Sequence, residues 1–451
     1  MATLQSSSSS SAILVALLVA VLCVDPTSST SRLALDHPKI PHTHTHPTGF
    51  RVSLHHVDSG KNLTKLERVQ HGIKRGKNRL QRLNAMVLAA STPDSQLESP
   101  IHAGNGEYLM ELSIGTPPKS YPAVLDTGSD LIWTQCMPCS QCYKQPTPIF
   151  DPKKSSTFSK LSCSSDLCSA LPSSTCGDGC QYMYTYGDYS MTQGVLATET
   201  FTFGGKAKAK NIGFGCGEEN EGDGFEQASG LVGLGRGPLS LVSQLKEQKF
   251  SYCLTSMDNT KASVLLLGSL ARVNSTIKPL TTPLLTNPSQ PSFYYLSLEG
   301  ISVGDTRLSI EKSTFDVADD GTGGVIIDSG TTITYIEENA YDALKKEFIS
   351  QTKLPVDNSG TTGLDVCFTL PSSETTQVEI PKLVFHFRGG DLELPAENYI
   401  IADSSVGVAC LAMGASNGMS IFGNIQQQNI LVNHDLEKET ISFIPTHCDR
   451  L

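Results

Sequence analysis

Val124-Leu125-Asp126-Thr127-Gly128-Ser129 and Ile326-Ile327-Asp328-Ser329-Gly330-Thr331 are the two stretches that decide the fold. Each is a short apolar run, then an aspartate, a small hydroxyl residue, a glycine and a second hydroxyl residue. The aspartates lie 202 positions apart. A single Asp-Thr/Ser-Gly is a weak signal, because Asx-turns use the same residues. Two copies, each closing an apolar strand in one half of the chain, are a strong one. A second echo follows: Leu231-Val232-Gly233 lies 105 residues after Asp126, and Ile421-Phe422-Gly423 lies 93 after Asp328. The pattern predicts two lobes of similar fold, related by an approximate two-fold axis, with a cleft between them.

The rest of the chain from Gly106 agrees with a mainly β fold. Tyr108, Met110, Leu112 and Ile114 alternate with other residues, and Gly115-Thr116-Pro117-Pro118 then makes a turn. Short runs recur at Val264–Leu267, Tyr294–Leu298, Val325–Ile327 and Val384–Phe387. Only 240–248 and 339–351 read as helices. Charged residues are 18% of the 451, with 38 Gly and 24 Pro, which argues against a coiled coil or long-helix protein. The net charge of -11 disfavours a general nucleic-acid binder. No apolar run reaches the ~18 residues that cross a bilayer.

The longest apolar run, Ile13 to Val24, fits the core of a secretory signal, followed by polar and small residues from Asp25 to Ser31. The segment before it lacks the usual Lys or Arg, having a serine run at 6–11 instead. The alternative is a buried core segment. Thirteen cysteines occur, and removing a signal over 1–24 takes Cys23 and leaves twelve, between Cys136 and Cys448. An even count in a secreted chain predicts a disulfide framework. Cys136, Cys139 and Cys142 also have a spacing that suits zinc, but no His lies between Cys136 and Cys180 to complete a mixed site. We expect no metal and no cofactor.

Residues 31–100 hold 11 Lys+Arg against 5 Asp+Glu, whereas 101–451 hold 23 against 39. A basic segment of net +6 therefore precedes an acidic body of net -16. Leu63, Leu66, Val69, Ile73, Leu80, Leu83, Met86 and Val87 fall at helical spacing in places, which predicts a basic amphipathic helix. The sharper reading is a removable pro-segment over 25–100 that covers an acidic cleft; the bland one is a solvated tail. The run Lys74-Arg75-Gly76-Lys77 also suits a nucleic acid or membrane surface. The expected layout is a signal at 1–24, a pro-segment at 25–100, an N-terminal lobe at 101–280 and a C-terminal lobe at 281–451.

If the symmetry brings Asp126 and Asp328 together, the carboxylates share a proton, because like charges ~3 Å apart cannot both ionise easily. The pair then titrates as a unit. One carboxylate takes a proton as water attacks a carbonyl carbon, and the other carboxyl donates to the carbonyl oxygen. Such a site needs acidic pH, no metal and no covalent intermediate.

These motifs resemble the pepsin-type aspartic proteases over roughly residues 106–451. The resemblance implies catalytic Asp126 and Asp328, supported by Thr127, Gly128, Ser129, Ser329, Gly330 and Thr331. Tyr186-Gly187-Asp188-Tyr189-Ser190 resembles the flap, with Tyr186 and Gly187 at its tip and Tyr189 where that pattern often has Gly. Trp133, the one tryptophan, has the spacing of the residue that hydrogen-bonds the flap tyrosine; its bland reading is core packing.

The cysteine-rich stretch after Trp133, Gly106-Glu107-Tyr108-Leu109-Met110 and the stretch from Gly49-Phe50-Arg51 to Gly76 narrow the resemblance to the nepenthesin-like plant enzymes. No saposin-like insert interrupts the second half. Twelve cysteines allow roughly 10,000 pairings, and sequence alone does not choose among them. The resemblance implies Cys136–Cys139, Cys142–Cys216, Cys163–Cys180, Cys168–Cys176, Cys253–Cys448 and Cys367–Cys410. It also places pro-segment cleavage between about Asn84 and Ser99, near the family's mature start. Asn62 and Asn274 head N-x-Ser/Thr glycosylation tripeptides.

The expected function is a secreted acid endopeptidase made as a zymogen, bound for the apoplast or the vacuole. Expected partners are protein or peptide substrates, its own pro-segment and pepstatin-type inhibitors, with no nucleic acid and no membrane, in a monomer. The runner-up is an inert binding protein resembling the xylanase inhibitors, which typically lose part of the site. A third reading is a nucleic-acid-associated protease like some relatives, which the secretory N-terminus and acidic body oppose.

Overall fold

The computed structural model describes residues 49–91, 108–186, 190–204, 207–222, 225, 227–259, 261–271, 278–371 and 379–451. The expected signal segment, the part of the expected cleavage region after residue 91, Gly187, Tyr189 and Asn274 lie outside the described residues.

Both Asp-containing stretches end a strand inside the same local motif. Lys119–Asp126 runs parallel to Gly230–Gly233, with Leu231 opposite Val124 and Gly233 opposite Asp126. Val325–Ile327 runs parallel to Ser420–Phe422, with Ile326 opposite Ile421. The two echoes seen in the sequence are therefore the two partners of one repeated arrangement. All residues of the Gly230–Gly233, Val325–Ile327 and Ser420–Phe422 strands are buried, which is why these runs are apolar throughout rather than alternating.

One sheet joins the halves. Ser263–Leu267 pairs with Lys249–Cys253, which pairs with Ile430–Asp435 from the far end of the chain. Thr440–Pro445 and Leu280–Leu285 continue it. Phe250 lies opposite His434 in this platform, with the rings stacked at 4.2 Å. Helices are few: Lys65–Ser91, Leu241–Leu245 and Glu338–Gln351 are the longest described.

Residues 49–91 are built into this body. Phe50–His56 forms a strand between Tyr108–Ile114 on one side and Ser263–Leu267 on the other. Val52 and Leu54 point into the core, the alternation a half-buried strand requires. The helix Lys65–Ser91 follows. Thr64 caps its start, with the Thr64 Oγ1 accepting from Glu67 N at 3.2 Å and Glu67 Oε2 accepting from Thr64 N at 2.7 Å, a capping box. Its buried side chains, Leu66, Val69, Ile73, Leu80, Leu83 and Val87, pack on Phe293, Ile333, Tyr335 and Met419 of the second half. Each such burial contributes about 1.5–3 kcal/mol before entropy is counted. The corner between strand and helix is held by Asp58, whose carboxylate accepts from Lys61 Nζ at 2.7 Å and Arg75 Nη2 at 2.9 Å.

The disulfide framework differs from the family-implied one in four of its bonds. The structure joins Cys136 to Cys216 and Cys139 to Cys142, not Cys136–Cys139 and Cys142–Cys216. It joins Cys163 to Cys176 and Cys168 to Cys180, not Cys163–Cys180 and Cys168–Cys176. The reason is strand register. Thr134, two residues before Cys136, lies opposite Cys216 in a parallel pair, so Cys136 and Cys216 are diagonal neighbours on one face with Cα atoms 5.3 Å apart. Cys168 and Cys180 are both buried, whereas Cys176 is exposed on the neighbouring strand, nearer Cys163. Cys253–Cys448 and Cys367–Cys410 are joined as the resemblance implies. With all three cysteines of the Cys136–Cys142 stretch in disulfides, no thiolate there is left to bind zinc.

His434 carries a cost of acidity. It is fully buried, with neither ring nitrogen hydrogen-bonded, beside Phe250, Tyr252 and Tyr294. Burial, with a smaller push from the Arg236 charge, lowers its pKa to about 3. The unfolded chain binds this proton near pH 6.5, so the folded state loses stability as pH falls from there toward 3. His434→Phe removes the penalty. We expect the variant to gain roughly 3–4 kcal/mol over the parent on going from pH 7 to pH 3.5. Urea unfolding at both pH values checks this; equal pH dependence in the two proteins rejects it.

Candidate active site

Asp126 and Asp328 meet at the floor between the halves, both fully buried. Each is held by the residues just after it, in the same way. Asp126 Oδ1 accepts from Gly128 N at 2.9 Å and its Oδ2 from Ser129 Oγ at 2.5 Å. Asp328 Oδ1 accepts from Gly330 N at 3.1 Å and its Oδ2 from Thr331 Oγ1 at 2.6 Å. The loops also grip each other. Thr127 Oγ1 accepts from Ser329 N at 3.2 Å and lies 3.3 Å from Ser329 Oγ. The glycines leave room for an approaching group, since a Cβ on Gly128 or Gly330 would lie 2.9 or 2.5 Å from the group now in the site.

That group is Arg79, from the middle of the helix Lys65–Ser91. Its Nε and Nη2 make a fork on Asp328, with Nη2 to Oδ1 at 2.7 Å, and Nη2 also reaches Asp126 Oδ1. Arg79 is 1% exposed. Burial alone would lower its pKa, but the two facing carboxylates hold the guanidinium charged. One cation thus bridges both aspartates at the place where a substrate group would react.

Sequence reasoning expected a basic segment over the cleft but did not single out Arg79. A signal was available: Ile73, Gly76, Arg79, Leu80 and Leu83 share one helical stripe, and Arg79 is the one charge on it.

Trp133 Nε1 donates to Tyr186 OH at 2.7 Å, and Phe225 packs edge-on against the indole. Both residues are buried. Tyr186 N also donates to Ser190 O at 2.8 Å, closing the base of the hairpin that Tyr186 heads. Asn62 is exposed on the turn before the helix.

Trp133→Phe removes the bond to Tyr186 OH and keeps an aromatic ring beside Phe225, leaving a small cavity. We expect about tenfold lower kcat/KM together with a Tm lower by several degrees, which steady-state kinetics and a melting curve measure together. Unchanged kinetics would show that Trp133 only packs.

The fold and this pair of loops define the two-lobed, pepsin-type aspartic protease class. Two family profiles divide the chain between them: xylanase inhibitor N-terminal over residues 108–269 and xylanase inhibitor C-terminal over 293–445. Aspartic proteinase nepenthesin-1 of Nepenthes gracilis is 54% identical over 96% of this chain and 98% of that protein. Nepenthesin-2 of the same plant is 51% identical over 94% and 95%. The chain belongs to the nepenthesin-like family of aspartic proteases. Among solved structures, that of edgp has a TM-score of 0.63 at 19% identity, covering 90% of this chain and 96% of its own. Soybean basic 7S globulin has a TM-score of 0.59 at 20% identity, covering 75% and 93%. At such identity these two speak for the fold alone. Among the described residues no helix is long and apolar enough to cross a membrane.

Proposed function

We propose that the chain is the precursor of a secreted acid endopeptidase, kept latent by its own residues 49–91. The observation that carries this reading is the arrangement of Asp126 and Asp328: two buried carboxylates, each fixed by the following amide and hydroxyl, within reach of one guanidinium. The same inner oxygens that hold Arg79 suit a water. One carboxylate takes the proton of that water as its oxygen attacks the peptide carbonyl carbon. The other, protonated, donates to the carbonyl oxygen. Collapse of the resulting diol breaks the C–N bond and returns a proton to the leaving amine. Thr127 and Ser329 keep the two loops in register, while Gly128 and Gly330 admit the peptide. The wall now covered by the helix, with Phe293, Ile333, Tyr335 and Met419, favours apolar substrate side chains.

Latency rests on the basic segment opposed to an acidic body. Acid weakens it at two places. Protonating either aspartate removes a charge that holds Arg79. Burial pushes the Asp58 carboxyl up, but the Lys61 bond and the Arg75 charge outweigh it and hold it below the usual range. A depressed carboxylate stabilises docking at neutral pH, and that share is lost as pH falls through its folded value, below about 4. His56 Nδ1 accepts from Asp58 N at 3.1 Å, and His71 Nδ1 lies 3.9 Å from Asp58 Oδ1, so both rings face the same corner.

Secretion to the apoplast or vacuole, a monomeric state, pepstatin binding and peptide substrates without nucleic acid or membrane partners complete the proposal. The inert-inhibitor reading gains no support from the site, which keeps both aspartates and their supporting hydroxyls. The full-length chain, held at pH 3 and at pH 7, tests the whole: shortening and proteolysis at pH 3 alone, blocked by pepstatin, are expected. Equal latency at both pH values would reject the zymogen.

A further inference from the structure

The reading of Asp126 and Asp328 as the catalytic pair leaves a partly buried carboxylate unexplained, four residues further on. Asp130 stands where the second loop has Thr332, so the repeat is broken at this one position. Thr332 Oγ1 finds no hydrogen-bond partner among the described residues. Asp130 is held through both of its carboxylate oxygens. Its Oδ1 accepts from Gly237 N at 2.9 Å, and its Oδ2 accepts from Ser292 Oγ at 2.5 Å. The loop Gly233-Leu234-Gly235-Arg236-Gly237 wraps it with glycines at every second position. A Cβ on Gly233, Gly235 or Gly237 would come within 2.3 Å of Asp130. No side chain fits there, so the loop is shaped around this residue.

Its partner belongs to the other half. Ser292 lies just before Tyr294, whose carbonyl accepts from Ile327 N at 3.0 Å, next to Asp328. Tyr294 OH donates to Leu234 O at 2.6 Å, and Leu234 N donates to Asp126 O at 2.7 Å. Arg236 N donates to Ser292 O at 3.1 Å. The two catalytic aspartates are therefore connected by a short closed chain of hydrogen bonds through the glycine loop and the segment 292–294.

We propose that Asp130 is a positioning residue: its bond to Ser292 locks the two halves at the spacing that lets Asp126 and Asp328 share one proton. Burial, with a smaller push from the Asp126 charge, raises the Asp130 carboxyl. The bond survives either way, because a protonated carboxyl can donate to the serine hydroxyl. The charged and titratable groups around this node are Asp126, Asp328, Tyr294, Arg236 and Glu439, with Arg79 present only before activation.

The test uses the acid-activated full chain, with active sites counted by pepstatin titration. Ser292→Ala is expected to lower kcat about tenfold, with KM within about twofold, because misplacing reacting groups costs rate more than binding. Its pH profile is expected to narrow, since separated carboxylates have apparent pKa values closer together. Asp130→Asn keeps both contacts, accepting from Gly237 N and donating to Ser292 Oγ, and is expected to retain most of kcat. Should Ser292→Ala give no titratable sites, Ser292→Cys, which keeps the volume and weakens the donor, carries the same expectation. A parent-like kcat and profile in the Ser292 variant overturns the proposal, as does an Asp130→Asn as impaired as Ser292→Ala. Asp126→Asn, run alongside, separates the two levels: if it stays active, the catalytic pair itself is misassigned.

Discussion

Full-length chain carrying Arg79→Gln is expected to cleave substrate before any part of it is removed. The parent holds a buried guanidinium between two buried carboxylates. Removing one member of such a group leaves charge uncompensated, which costs about 3–5 kcal/mol. Glutamine is shorter than arginine and neutral, so it neither reaches both aspartates nor repels a water from them. The helix still has its apolar stripe, Leu66, Val69, Ile73, Leu80, Leu83 and Val87, so the segment stays folded but docks less tightly. The docking equilibrium should therefore weaken by roughly 10²–10⁴-fold. The measurement is the initial rate of peptide cleavage by uncleaved precursor at pH 5, on a background that blocks processing after residue 91. Parent-like latency would mean that Arg79 is a passenger and that the apolar face alone closes the cleft.

Asp126→Asn carries the second large effect. Asparagine is the same size and its Oδ1 accepts from Gly128 N as the carboxylate does, so the loop geometry is kept. The shared proton is lost, and with it acid–base catalysis, worth about 10²–10⁴-fold in kcat. The mature variant is expected to retain its Tm within a few degrees and to lose that factor in rate. Asp328→Asn should behave alike, and the double variant should lose little more, because the two act as one unit. Additive losses would mean independent roles for the two residues.

The sequence made the catalytic loops legible because they are local: an aspartate, a glycine and two hydroxyls within four residues are enough to specify the turn and its hydrogen bonds. The repeat of that turn, with Leu231–Gly233 and Ile421–Gly423 as parallel partners, made the two-lobed architecture legible as well. The helix over 65–91 was visible in its apolar stripe. The strand Phe50–His56 was missed, although Phe50, Val52 and Leu54 alternate, because its partners are more than fifty residues away. Cys176 and Cys180 lie directly opposite each other across a hairpin, so the choice between them depends on whether Cys163 or Cys168 is folded nearer to each. Arg79 was hidden among eleven basic residues, and the link from Asp130 to Ser292 joins positions 162 apart. Contacts of that kind appear only when the chain is folded.

The most direct test of the account is the rate of hydrolysis of a denatured protein by the activated enzyme across pH 2 to 8. The account expects a bell-shaped profile with an acid optimum, abolished by pepstatin and by Asp126→Asn. A rate that persists to pH 8, or survives in Asp126→Asn, would contradict it.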